Sequence, residues 1–173
     1  MAEETCSRLF FALWPDLHTR KEIVRIAQGI PVTTGRPVPA DNLHLTLVFL
    51  GSVSESRKTR LLQGIQPIEF HPVTLHLDRL GWWKRPRVLW LAPTQVPRTL
   101  ADFVIRLGAT ARECGIAVEE QEYRPHITLA RKVTRQPELP EIRPVTLHSG
   151  AYSLVQSVTE QQGARYTVIW NSA

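Results

Sequence analysis

The residues best placed to do chemistry come as a repeated pattern. His44-Leu45-Thr46-Leu47 recurs as His126-Ile127-Thr128-Leu129, 82 positions later, and it uses two of the chain's six histidines. On a strand, alternate side chains share a face, so His44 lies with Thr46 and His126 with Thr128. The intervening Leu43, Leu45, Leu47, Ile127 and Leu129 point the opposite way. Each copy therefore buries an apolar face and presents an imidazole beside a hydroxyl; on a helix, side chains two apart would diverge. Imidazole titrates near about pH 6.5, so both protonation states are accessible. One neutral ring can take a proton from an attacking water while one cationic ring gives a proton to the leaving oxygen. The threonine hydroxyls can donate to non-bridging phosphate oxygens. That set suits in-line displacement at phosphorus. A 2′,3′-cyclic phosphate needs no more, because its strained ring already holds the leaving oxygen. A single His-x-Thr is commonplace on a solvated sheet face, and the doubling is what singles this pair out.

No metal set competes with this reading. There is no His-Glu-x-x-His, no paired cysteines and no acidic cluster of the two-metal kind. His76 and Asp78 mimic a histidine–carboxylate pair, but a solvated sheet face is expected there. His18, His71 and His148 have no identifiable partner. Arg131 is near the end of the second motif strand and could clamp a phosphate, yet strict alternation sets it opposite Thr128. Lys84, Arg85 and Arg87 form a basic turn beside Trp82 and Trp83. Those indoles could stack bases, or they could pack in the core.

These motifs need strands to carry them. Arg8 to Trp14 reads as a strand, followed by a helix from about Asp16 to Gln28 with Leu17, Ile23, Ile26 and Ala27 as its buried stripe and Gly29 as its stop. Pro31 to Pro39 is loop, Leu43 to Leu50 a strand closed by Gly51, and Ser54 a cap for a helix to about Gln66. Val73 to Trp82 and Val88 to Leu91 pair through Lys84-Arg85-Pro86. Pro97 opens a helix ending near Cys114, with Gly115 as its left-handed stop. Ile127 to Val133 is a strand. Val145 to Val158 and Tyr166 to Trp170 suggest paired strands joined through Gln162-Gly163. The pattern is mixed α+β with antiparallel sheets. A half-chain displacement of the motif implies two similar lobes.

Composition bounds the class. A chain of 173 residues, 43% apolar, fits one globular domain or two small lobes sharing a core. The apolar run Leu9 to Trp14 is too short to span a bilayer, and Glu3 and Glu4 before it are the wrong flank for a secretory signal. Only two distant cysteines, Cys6 and Cys114, fit a reducing compartment. A soluble, cytoplasmic monomer is expected. The net charge of +5, from 21 basic and 16 acidic residues, favours a polyanionic partner.

With these motifs the chain resembles the two-histidine (2H) phosphoesterases, and most closely the bacterial RNA 2′,3′-cyclic phosphodiesterases, also called 2′-5′ RNA ligases. The resemblance runs through Arg8 to Leu13, Asn42 to Gly51, Arg87 to Leu91 and Arg124 to Arg131. It implies a bilobal α+β fold with pseudo-twofold symmetry: two antiparallel sheets lining a central groove, helices outside, and residues 1–173 forming one domain of two intertwined lobes with a motif in each (44–47 and 126–129). It implies metal- and cofactor-independent hydrolysis of RNA 2′,3′-cyclic phosphate ends to 2′-phosphates, with ATP-independent 2′-5′ joining as a related reaction. Carried over, His44 is the proton donor, His126 the acceptor, and Thr46, Thr128 and Arg131 contact the phosphate. Two alternatives keep the groove: a phosphodiesterase of small cyclic nucleotides, such as an ADP-ribose cyclic phosphate, and a non-catalytic RNA-binding module.

Overall fold

The computed structural model describes residues 5–161 and 163–172. The chain runs β1 (Cys6–Leu13), α1 (Leu17–Gln28), β2 (Arg36–Pro37), a 3-10 turn at Ala40–Asn42, β3 (Leu45–Ser54), α2 (Glu55–Ile65), β4 (Val73–Trp83) and β5 (Val88–Pro93). It continues with α3 (Arg98–Glu113), β6 (Ile127–Arg131), β7 (Val145–Ser149), β8 (Ser153–Glu160) and β9 (Gly163–Asn171). The strands form one sheet in the order β7-β4-β5-β6-β3-β1-β8-β9, with the short β2 paired to β6.

The two expected sheets are thus two antiparallel halves that meet at β3 and β6. A single residue pair, Leu45 with Ile127, joins them. Each half has the same plan: β1-α1-β3 in one and β5-α3-β6 in the other, a strand, a helix and then a motif strand. The helices cross over. α1 packs against β7 of the other half, where the Thr19 hydroxyl donates to the Thr146 carbonyl at 3.1 Å, and α3 packs beneath β3. This crossing ties the halves together.

One face of the sheet is covered and the other is open. Leu43, Leu45, Leu47, Ile127 and Leu129 are buried with Ile23 of α1, Leu61 of α2 and Phe103 and Leu107 of α3 in one core. That burial is the main driving force, each such side chain contributing about 1.5–3 kcal/mol. Asp16 caps α1 by accepting from Thr19 N at 2.7 Å. Leu17 was expected in the buried stripe of α1 but is 65% exposed, because the face turned to the core carries Thr19, Ile23, Ile26 and Ala27 and Leu17 lies on the other side of the helix.

Several boundaries differ from the sequence expectation. β3 does not close at Gly51 but continues to Ser54, and Gly51 (φ +67°) serves as a left-handed kink inside it. β6 stops at Arg131, where Lys132 takes φ +59°. The Val145–Val158 run is two strands: β7 pairs with β4, and β8 with β1 and β9. Gln162, the expected turn residue between β8 and β9, lies outside the described residues.

Candidate active site

The groove face of the sheet is built around the Leu45–Ile127 pair. In an antiparallel pair that register carries His44 opposite Thr128 and Thr46 opposite His126. An antiparallel pair has a local twofold axis, so one motif used twice yields a fourfold set of imidazole, hydroxyl, imidazole and hydroxyl on one face. Both histidines lie one residue before their strands begin, and both are half-buried.

The two rings are held alike. The Nδ1 of His44 lies 2.7 Å from the Asn42 carbonyl, and the Nδ1 of His126 lies 2.8 Å from the Arg124 carbonyl. A carbonyl can only accept, so each Nδ1 carries the hydrogen and each Nε2 is left to work as base when neutral or acid when protonated. The sequence could not assign these tautomers; the backbone does. Neither Thr46 nor Thr128 has a protein hydrogen-bond partner for its hydroxyl among the described residues.

Their surroundings differ. His44 is enclosed by the rings of Phe10, Trp14 and Tyr166, with centroids at 4.9, 5.4 and 5.1 Å. His126 meets the edge of Trp83 at 4.7 Å, and Trp83 stacks on Trp90 at 5.2 Å. Burial pushes the His44 imidazole down to about 4; the Asn42 carbonyl opposes this, while Arg131 and His126 add to it. Burial also lowers His126, opposed by the Arg124 carbonyl and reinforced by Arg131. Both rings are therefore neutral at pH 7.

Arg131 reaches this face through a bulge. Leu89 pairs with Ala130 and Trp90 with Thr128, so Leu129 has no opposite number. Leu129 and Ala130 both turn into the core, and Arg131 emerges exposed on the side of Thr128, where its charge is felt by both imidazoles. Strict alternation had put it on the other side, and the extra residue reverses that. The first motif has the same device: Phe11 pairs with Val48 and Ala12 with Thr46, leaving Leu47 unopposed and exposing Phe49 at the position matching Arg131.

The other expectations divide. Trp82 packs against the core and donates to the Val133 carbonyl at 3.0 Å, whereas Trp83 faces His126. His76 and Asp78 are exposed and bond Thr146 and Thr94 instead of each other, as the solvated reading held. The sequence pattern singled out Trp83 beside the basic turn but not Phe10, Trp14 or Tyr166. It also missed Tyr123, whose hydroxyl donates to the Thr46 carbonyl at 3.3 Å and whose burial raises its pKa, keeping it a donor. Among the described residues, no group of three or more His, Cys, Asp or Glu could hold a metal ion.

The family model for LigT-like phosphoesterases matches twice, over residues 13–90 and 91–163, taking one motif in each match. The chain belongs to this family. An RNA 2′,3′-cyclic phosphodiesterase of Escherichia coli (strain K12) is 40% identical over 134 residues, spanning 77% of this chain and 76% of that protein. One from Bacillus subtilis (strain 168) is 30% identical, covering 86% of each. The crystal structure of E. coli LigT complexed with 3′-AMP superposes with a TM-score of 0.86 at 35% identity, covering 96% of this chain and 97% of that one. The double match of the LigT-like model agrees with the repeated strand-helix-strand plan of the two halves.

Proposed function

We propose that this protein hydrolyses the 2′,3′-cyclic phosphate at an RNA end to a 2′-phosphate, with His44 as proton donor and His126 as proton acceptor. The observation that carries this is the twofold set of His-x-Thr side chains around Leu45–Ile127, both imidazoles offering Nε2 to one groove. The names of the relatives and the 3′-AMP bound by E. coli LigT support the substrate class.

In the step, water attacks phosphorus and loses a proton to Nε2 of His126. The bond from phosphorus to O3′ breaks, and Nε2 of His44 gives its proton to O3′. Thr46, Thr128 and Arg131 hold the non-bridging oxygens as charge develops there. His44 is neutral at pH 7, so it acquires this proton with the substrate: a phosphate anion favours an imidazolium beside it. A 5′-hydroxyl in place of water gives a 2′-5′ joint with no ATP.

The molecule acts as one domain, residues 1–173, of two intertwined lobes, supported by the crossed helices. It works as a cytoplasmic monomer without metal or cofactor. No helix among the described residues is long and apolar enough to cross a membrane. The test is incubation with EDTA and a short RNA bearing a terminal cyclic phosphate. Wild type should form a 2′-phosphate, and His44→Ala and His126→Ala should each be slower by at least about 10²-fold. Folded wild type that leaves the RNA end intact refutes the assignment. A second reading, small cyclic nucleotides, is favoured by the mononucleotide bound by E. coli LigT. Turnover independent of RNA length and salt would select it.

A further inference from the structure

The two ends of the groove differ in chemistry. The His44 end is aromatic, and its arginines are engaged: Arg165 with Glu160 at 2.6 Å, Arg20 with Asp41 at 2.8 Å, and Arg8 over the Phe49 ring. The His126 end is cationic. The β4–β5 turn exposes Lys84, Arg85 and Arg87, and Arg131 pairs across from Val88, with exposed Lys132 beside it. None of these five has a carboxylate within ion-pair distance among the described residues. Trp83 lies between this turn and the catalytic imidazole, in edge contact with His126.

Hydrolysis gives this end little to do. If His126 is the base, the nucleophile approaches from its side, and water carries no phosphates to hold. A nucleophile that is itself a strand does. We propose that the β4–β5 turn holds the RNA strand whose 5′-hydroxyl attacks the cyclic phosphate, making it the acceptor site of the joining reaction. Lys84, Arg85 and Arg87 hold the backbone phosphates of that strand, and Trp83 supplies an apolar surface for its first base. The proton of the 5′-hydroxyl passes to Nε2 of His126, the bond from O5′ to phosphorus forms as that to O3′ breaks, and O3′ takes the proton of His44. The strand bearing the cyclic phosphate then keeps its terminal nucleoside at the aromatic His44 end. This assignment rests on the proposed roles of the two histidines.

The test uses the full chain and three reactions: hydrolysis of cytidine 2′,3′-cyclic phosphate, hydrolysis of an RNA oligomer ending in a cyclic phosphate, and joining of that oligomer to a 5′-hydroxyl RNA. The variants are Lys84→Gln/Arg87→Gln and the charge reversal Lys84→Glu/Arg87→Glu, with thermal unfolding as the check on folding. Both hydrolyses should stay within about twofold of wild type. The KM for the 5′-hydroxyl strand should rise about tenfold or more, further on reversal, and the log–log salt slope for that strand should fall by about two. If oligomer hydrolysis falls along with joining, the turn holds the cyclic-phosphate strand and the proposal is wrong. Unchanged joining makes the turn a solvated loop. Wild type that hydrolyses but neither joins nor binds the 5′-hydroxyl strand also overturns the acceptor site while leaving the hydrolytic reading intact. Wild type that hydrolyses nothing removes the reading beneath it.

Discussion

An imidazole whose Nδ1 is tied to a carbonyl can do chemistry only through Nε2, and here both are tied by the same local geometry. What distinguishes the two rings is the field around them. Burial, and then the charges nearby, hold both below the usual imidazole range, His44 at about 4. A mechanism needing one protonated and one neutral ring therefore gives a bell-shaped kcat/KM profile lying below about pH 6.5, with its acid limb near about pH 4. Steady-state rates across pH with a saturating-range series of cyclic-phosphate RNA check this; a bell centred above pH 7 would refute the field described. Arg131 repels a second positive charge at both rings. Arg131→Ala should shift the bell to higher pH while lowering turnover about 10²-fold, since a charge-assisted contact to the phosphate is lost. A loss of rate with no shift would place Arg131 away from the imidazoles.

At the scale of elements, the motif strands work because each is interrupted. Leu47 and Leu129 bulge, so two successive residues enter the core and the next, Phe49 or Arg131, turns to the groove. That inversion could not be read from a pattern that assumes alternation every two residues, whereas His44, Thr46, His126 and Thr128, which precede the bulges, were legible from spacing alone. Tyr166 reaches His44 from the far end of the chain, a contact that no local signal carries. Leu17 shows a similar limit in a helix: the apolar pattern placed it in the stripe with Ile23, Ile26 and Ala27, whereas the polar Thr19 is the residue of the first turn that is buried. β4 contributes by a residue with no side chain. A Cβ on Gly81 would lie 2.0 Å from the Trp90 ring, which backs Trp83 and hence His126. Gly81→Ala should push the rigid indole aside and slow turnover by up to about 10²-fold with little change in KM. Unaltered kcat would show that the tryptophan wedge does not position His126.

For the whole molecule, the open groove makes stability depend on pH. His44 has a lower pKa folded than unfolded, so the unfolded chain binds more protons between about pH 6.5 and about 4. Stability is full above that window and falls as the pH drops through it, by roughly 3 kcal/mol for this group. Denaturant midpoints at pH 7.5 and 4.5 should differ in wild type, and much less in His44→Phe, which keeps the ring among Phe10, Trp14 and Tyr166 but cannot ionise. Equal acid sensitivity in the two proteins would contradict the burial argument. The repeated strand-helix-strand order could be anticipated from the sequence because the motif is doubled. The crossing of α1 and α3 could not, since helix amphipathicity names a buried face without naming the sheet that covers it.

The measurement that bears most directly on a paired mechanism is a double-variant cycle on cyclic-phosphate RNA. Two groups that act in one step should not be additive: His44→Ala and His126→Ala should each cost at least about 10²-fold in kcat, and the double variant little more than the worse single one. Losses that multiply, or a single variant with near wild-type turnover, would contradict the claim that these two imidazoles form one acid–base pair.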